Sequence, residues 1–164
     1  MQTLTTHYID GAFAESHGRE VMDIIRPTDG QLIAQVNLGD EEDTRRAIAA
    51  AKRAFATYGT SKPEERAEIL RRLHRAASAR IDDLTAVMVE EYGGVVQFSR
   101  LLVESGVNAF AAAEKAIGEI PRVRSWDKTT VTLEPVGVAG LITAWSCCSC
   151  ASNSLPPSPR VAPW

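Results

Sequence analysis

"LEPVGVAGLITAW", residues 133–145, decides how this chain is read. From Val136 to Trp145 the only polar side chain is Thr143, and nothing alternates. An unbroken apolar run of this length reads as a strand covered on both faces, as in a parallel sheet. Such a strand needs neighbours along both edges. One further strand run, "TTVTLE" at 129–134, lies close by in sequence, and after Trp145 no usable pattern follows.

Before these strands the period is helical. In "GDEEDTRRAIAAAKRAFATYG" (39–59), Thr44, Ala47, Ile48, Ala51, Ala54 and Phe55 recur on one face,. Asp40 suits the N-cap. Glu41, Glu42 and Asp43 favour the positive end of the helix dipole, and Gly59 stops the helix. "TSKPEERAEILRRLHRAASARI" (60–81) starts again with a capping box of Ser61 and Glu64, with Pro63 in the first turn and a stripe of Ala67, Leu70, Leu73, His74 and Ala77,. "IDDLTAVMVEEYGG" (81–94) is a third helix, stopped by Gly93-Gly94. "VVQFSRLLVESGVNAFAAAEKAIGEI" (95–120) is a fourth, ended by Pro121,. Its Gly106 costs about 1 kcal/mol relative to alanine and permits close helix packing.

The first forty residues carry turn chemistry. "HYIDGAFAES" (7–16) is a hairpin about Asp10-Gly11, and "VMDIIRPTDGQLIAQV" (21–36) is another about Asp29-Gly30,. Together they predict a meander of short surface strands with no chemistry of its own.

Composition limits the function. The 164 residues are 45% hydrophobic and 24% charged, with net charge −3. That is an ordinary balance for one globular domain with a core. No basic run tracks a phosphate backbone, so nucleic acid is not an expected partner. No apolar stretch is long enough for a membrane span. "MQTLTTHYIDGAF" has neither a basic leader nor an apolar core, and residues 1–145 contain no cysteine. A signal peptide and a disulfide scaffold are therefore not expected, and the cytoplasm is the default compartment.

The three cysteines, Cys147, Cys148 and Cys150, all lie in "SCCSCASNSLPPSPRVAPW" (146–164), which has no apolar period and reads as a disordered tail,. Three thiols invite a soft metal, but zinc wants a fourth ligand and no histidine is near. Cys147 and Cys150 have redox spacing, yet no helix follows to lower a thiol pKa. His74, alone on its stripe, is a core-edge histidine rather than a ligand. No metal site is expected.

A different explanation of the tail comes from shifting its reading frame. When each residue's last codon base joins the first two of the next, G/C-biased codons give L-L-F-L-R-(E/K)-Q-L-A-(A/P)-A-(I/L)-A-A-G-x-T-V. This is an amphipathic helix with a glycine cap and the start of a β-branched run. The tail is therefore expected to be a frameshifted segment.

"HYIDGAFAES", "RPTDGQLIAQV", "DEEDTRRAIAAAKRAF", "SKPEERAEILRRLHRAASARIDDLTAVMVEEYGG" and "LEPVGVAGLITAW" follow one another as at the start of the aldehyde dehydrogenase superfamily. The resemblance covers nearly all of residues 7–145, and the shifted tail resembles the family's next helix. The resemblance implies an α/β fold: an incomplete N-terminal part of an aldehyde dehydrogenase-like cofactor domain. Short β hairpins and a four-helix region would be followed by the first strands of the sheet and of the oligomerisation arm. It divides the chain into a helical part of the cofactor domain (1–128), an arm strand (129–135), a buried strand leading to the cofactor cleft (136–145) and an aberrant tail (146–164).

It also implies oxidation of a small-molecule aldehyde to a carboxylate or acyl-CoA with NAD or NADP, in a homo-oligomer. Ile142, Thr143, Ala144 and Trp145 match the run lining the nicotinamide side of the cleft. Ile142 and Trp145 read equally well as plain core residues.

The departures concern the chemistry. Ser146 stands where the family has the asparagine that donates to the oxyanion, and a proline expected soon after is missing. The ribose-binding lysine, the glycine-rich turn, the general-base glutamate and the nucleophilic cysteine have no counterpart here. The family's reaction needs thiolate attack, an oxyanion site, hydride transfer and base-assisted hydrolysis. No catalytic residue is therefore expected in this chain, and no cofactor is expected to bind to it alone. Val136, Val138, Leu141 and Ile142 would lack the strands that bury them, forfeiting about 1.5–3 kcal/mol each. That leaves an edge prone to aggregation or to pairing with a full-length subunit. Two rival readings are a non-catalytic module pairing with an intact subunit and a helical protein with a thiol metal site in its tail.

Overall fold

The computed structural model describes residues 2–142. The described chain forms two compact units. One comprises residues 2–60, 90–93 and 137–139, and the other the remaining described residues.

In the first unit, Asp10 (φ 57°) and Gly11 (φ 79°) both take left-handed backbone. This two-residue turn joins β2 (Thr6–Ile9) to β3 (Ala12–Glu15). Positive φ at both positions matches the twist of the flanking strands, and asparagine, aspartate and glycine tolerate it best. Tyr8 pairs across the hairpin with Phe13, edge to face at 5.2 Å between ring centroids. β4 (Val21–Ile25) and β5 (Leu32–Asn37) form the second expected antiparallel pair.

The strands do not make a meander. β1 (Gln2–Leu4) pairs in parallel with β5, giving a three-stranded sheet ordered β1-β5-β4, while β2-β3 stands apart. A three-residue strand pairing with residues thirty positions away has no local signature. That is why the expected meander was incomplete.

Helix α1 (Glu41–Tyr58) begins at Asp40, whose carboxylate accepts from the Glu42 and Asp43 amides. Its covered face matches the expected one only in part, with Ala51 and Phe55 half-buried. Asp43 and Ala50 are buried, whereas Thr44, Ala47 and Ala54 are exposed and Ile48 is 44% exposed. Gly59 ends the helix in right-handed rather than left-handed backbone (φ −58°).

The second unit is built on α2 (Pro63–Ser78) and α4 (Val96–Glu119), which pack along one another. The α2 cap lies one residue later than expected. Lys62 is the N-cap, and its amide donates to Glu65 Oε2 at 2.7 Å. Ser61 Oγ instead accepts from Arg66 Nε at 2.9 Å. Proline at the first helical position removes an amide that would have had no partner anyway.

Met88 of α3 (Ile81–Tyr92) joins Val103 and Val107 of α4 in the apolar core, with Ala77, Ile81 and Leu102 packed against them. His74 is half-buried on α2. Ser99 is fully buried, and its hydroxyl has no partner among the described residues. Helix α1 belongs to the first unit, and α2 and α4 to the second.

After α4 the chain makes a hairpin of β6 (Val123–Trp126) and β7 (Thr129–Thr132), paired only with each other among the described residues. The strand expected over 136–145 is absent from 136–142, which is irregular. Every residue from 121 to 142 is exposed. An apolar run becomes a buried strand only when neighbouring strands supply its hydrogen bonds and cover its faces.

Candidate functional site

The expected site lies at the end of the described chain. The Leu133 amide closes the β6-β7 hairpin by donating to the Arg122 carbonyl at 2.8 Å. Pro135 then offers no amide. The segment beyond it presents Val136 at 96% exposure and Ile142 at 98%. Of the four residues matched to a cofactor-facing run, the structure places Ile142 alone. Thr143, Ala144 and Trp145 lie outside the described residues, as do Ser146 and the thiols Cys147, Cys148 and Cys150. An exposed aliphatic side chain gives a dinucleotide neither a phosphate donor nor a ribose acceptor. No chemical step is assigned to Ile142.

The most elaborate polar cluster lies in the first unit, around the buried Asp43. Its carboxylate accepts from the backbone amides of His17 (3.0 Å), Gly18 (3.1 Å) and Asp40 (3.3 Å). It also accepts from the Ser16 hydroxyl at 3.2 Å and Arg46 Nη1 at 3.2 Å. The amide bonds, led by that of His17, hold the Asp43 carboxyl well below the usual carboxylate range,. Gly18 is required by the close approach: a Cβ there would collide with the Leu38 carbonyl oxygen.

His17 Nδ1 lies 2.6 Å from Asp40 Oδ2 at the surface. That hydrogen bond raises the His17 pKa and lowers that of Asp40.

Ser16 Oγ lies between His7 Nε2 (3.1 Å) and Asp43. A nucleophilic serine needs the histidine between itself and the acid. Here the serine is in the middle and is itself buried. The cluster ties the β3-β4 connection to the start of α1 and does not activate a nucleophile. Sequence reasoning saw Asp43 only as a charge favouring the helix dipole. The one available signal was an acid at the third helical position after an Asp cap, the spacing of a reciprocal capping box.

Arg26 anchors the second hairpin, donating to Asp29 at 2.9 Å and to Glu90 at 2.7 Å. Among the described residues, no group of three or more His, Cys, Asp and Glu side chains is placed to hold a metal ion. Nor is any helix long and apolar enough to cross a membrane.

Comparison with known proteins decides the family. The profile of the aldehyde dehydrogenase family matches residues 13–154. The chain belongs to the aldehyde dehydrogenase family. A 3-succinoylsemialdehyde-pyridine dehydrogenase of a Pseudomonas species is 30% identical over 148 residues, covering 89% of this chain and 31% of that protein. Among solved structures, a variant of aldehyde dehydrogenase C from Pseudomonas syringae, crystallised with NAD+ and octanal, superposes with a TM-score of 0.86. It is 26% identical, over 90% of this chain and 31% of that one. Escherichia coli lactaldehyde dehydrogenase superposes with a TM-score of 0.70 at 26% identity, over 78% of this chain and 27% of its own. This aldehyde dehydrogenase-family chain thus spans about a third of the length of the relatives it matches, and its fold is a partial aldehyde dehydrogenase-like domain.

Proposed function

We propose that this chain carries the N-terminal third of an NAD(P)-dependent, cytoplasmic aldehyde dehydrogenase, and that it supplies scaffold rather than reacting groups. The observation that carries this reading is the coverage. The family profile spans residues 13–154, while the chain accounts for 31% of the matched relatives.

Residues 1–128 serve as the helical part of the cofactor domain and 129–135 as the arm strand of a homo-oligomer. In a complete enzyme residues 136–145 would form the strand leading to the cleft, with Ile142, Thr143, Ala144 and Trp145 facing the nicotinamide. Bound there, NAD or NADP would supply the hydride acceptor for oxidation of an aldehyde to a carboxylate. Residues 146–164 are translated out of frame, as their shifted reading suggests, and without the thiol nucleophile and base the chain alone is inactive.

Two experiments test this reading. The coding DNA beyond the codon for Trp164 should continue, in another frame, into a glycine-rich turn and a reactive cysteine. The purified chain, given NAD or NADP and a panel of aliphatic and aromatic aldehydes, should form no NADH or NADPH. Aldehyde-dependent cofactor reduction would overturn the inactivity. Downstream DNA with no such enzyme in any frame would overturn the frameshift.

A further inference from the structure

We propose that the buried hydroxyl of Ser16 orders the protons of a chain that runs from β2 to α1. In this chain His7 Nε2–H donates to Ser16 Oγ, and the Ser16 O–H donates to Asp43. The chain is a positioning device. It holds the neutral His7 ring in one tautomer and ties the β2-β3 hairpin to the start of α1. His7, Ser16 and Asp43 all lie within the first unit, and the proposed function uses none of them.

One oxygen decides the direction. Ser16 is 5% exposed, so its hydroxyl must find partners within the protein,. Ser16 Oγ lies 3.1 Å from His7 Nε2, 3.2 Å from Asp43 Oδ2 and 3.3 Å from the Leu38 carbonyl oxygen. A hydroxyl has one proton to give and two lone pairs to offer. The Leu38 carbonyl can only accept. The ionised Asp43 carboxylate can only accept as well. Around it stand the His17, Gly18 and Asp40 amides and the Arg46 guanidinium, donors that can take no proton in return,. The Ser16 proton therefore points to one of these two acceptors, and the charge on Asp43 makes it the stronger.

Either choice leaves a lone pair of Ser16 Oγ facing His7. A bare Nε2 would set lone pair against lone pair, so Nε2 carries the hydrogen. The neutral ring then keeps Nδ1 without one. The ring nitrogen is also seated closely against the entry to α1, since a Cβ on Gly39 would lie 3.2 Å from Nε2. His17, the neighbouring histidine, is wired the other way, with Nδ1 against Asp40.

The test uses the full 164-residue chain labelled with 15N. Long-range proton–nitrogen correlation at about pH 8.5, roughly two units above the ordinary histidine pKa, reads the tautomer of His7. An exposed neutral imidazole already favours the proton on Nε2, so the reference is the same chain unfolded in urea. Folding should raise the ratio of Nε2–H to Nδ1–H by at least about threefold, the effect of one net hydrogen bond. Ser16→Ala should abolish the rise, and Ser16→Thr, which keeps the hydroxyl, should restore it. A ratio unchanged by folding, a preference for Nδ1–H, or a rise that survives in Ser16→Ala would each overturn the proposal. The comparison with urea needs no variant, so it decides alone where Ser16→Ala does not fold.

Discussion

The joint around Asp43 and the stretch 121–142 are opposite solutions within one chain. At the joint, a single buried carboxylate takes bonds from the Ser16 hydroxyl, the His17, Gly18 and Asp40 amides and the Arg46 guanidinium. The stretch 121–142 ends in an apolar run and has no cover among the described residues. All partners of the joint lie within the first 46 residues, so it is complete as soon as that part of the chain exists. The partners that the second region's sequence calls for are not among the described residues. Self-sufficiency in this protein follows where the partners are encoded rather than how hydrophobic the segment is.

That contrast can be broken most forcefully at Gly18. Gly18→Ala drives a methyl group into the Leu38 carbonyl, and backbone cannot move aside as a flexible side chain can. A loss of about 1–3 kcal/mol is expected in urea unfolding of the first unit. An unchanged midpoint would mean that the joint is looser than drawn.

Acid acts next, on Asp43. Its carboxyl titrates below its unfolded value, so its stabilisation is present above roughly pH 4 and is lost as pH falls through the folded value,. Exchange protection of the His17 and Gly18 amides should therefore fall at low pH, and Asp43→Asn should show reduced protection already at pH 7. Equal protection in both proteins would show that the carboxylate is dispensable.

His17 contributes less, with the opposite sign. Its pKa is raised, so its bond to Asp40 stabilises below about pH 6.5 and fades as pH rises through the folded value,. An NMR titration should place the His17 pKa above that of a free histidine, and Asp40→Asn should return it to the ordinary range.

The smallest effect belongs to the exposed stretch. Val136→Thr should leave the stability of the isolated chain unchanged within about 0.5 kcal/mol, because Val136 is 96% exposed,. A loss of 1 kcal/mol or more would reveal cover that the structure does not show.

The hairpins and helices were legible because their signals are local. Asp10-Gly11 needs left-handed backbone, and of the expected α2 stripe Ala67, Leu70, His74 and Ala77 are half-buried while Leu73 is 44% exposed. Three features were not legible, each for a physical reason. The β1-β5 pairing joins short, distant strands that carry no common signature. The buried face of α1 follows Asp43 and the small Ala50 because a polar joint, not an oily one, meets the helix there. The Ser61 cap gave way to Lys62 because Pro63 takes the first helical position, which makes the preceding residue the cap,. Of the expected cofactor-facing residues, Ile142 alone could be placed, and its sequence context describes a finished sheet that these residues do not contain.

The parallel pairing of β1 with β5 also sets an order of events during synthesis. Thr3 lies opposite Gln35, so residues 2–4 must wait until the strand at 32–37 has been made before they find their place. The β2-β3 hairpin has no such delay. Residues 2–4 thus settle later than the hairpin that follows them in the chain.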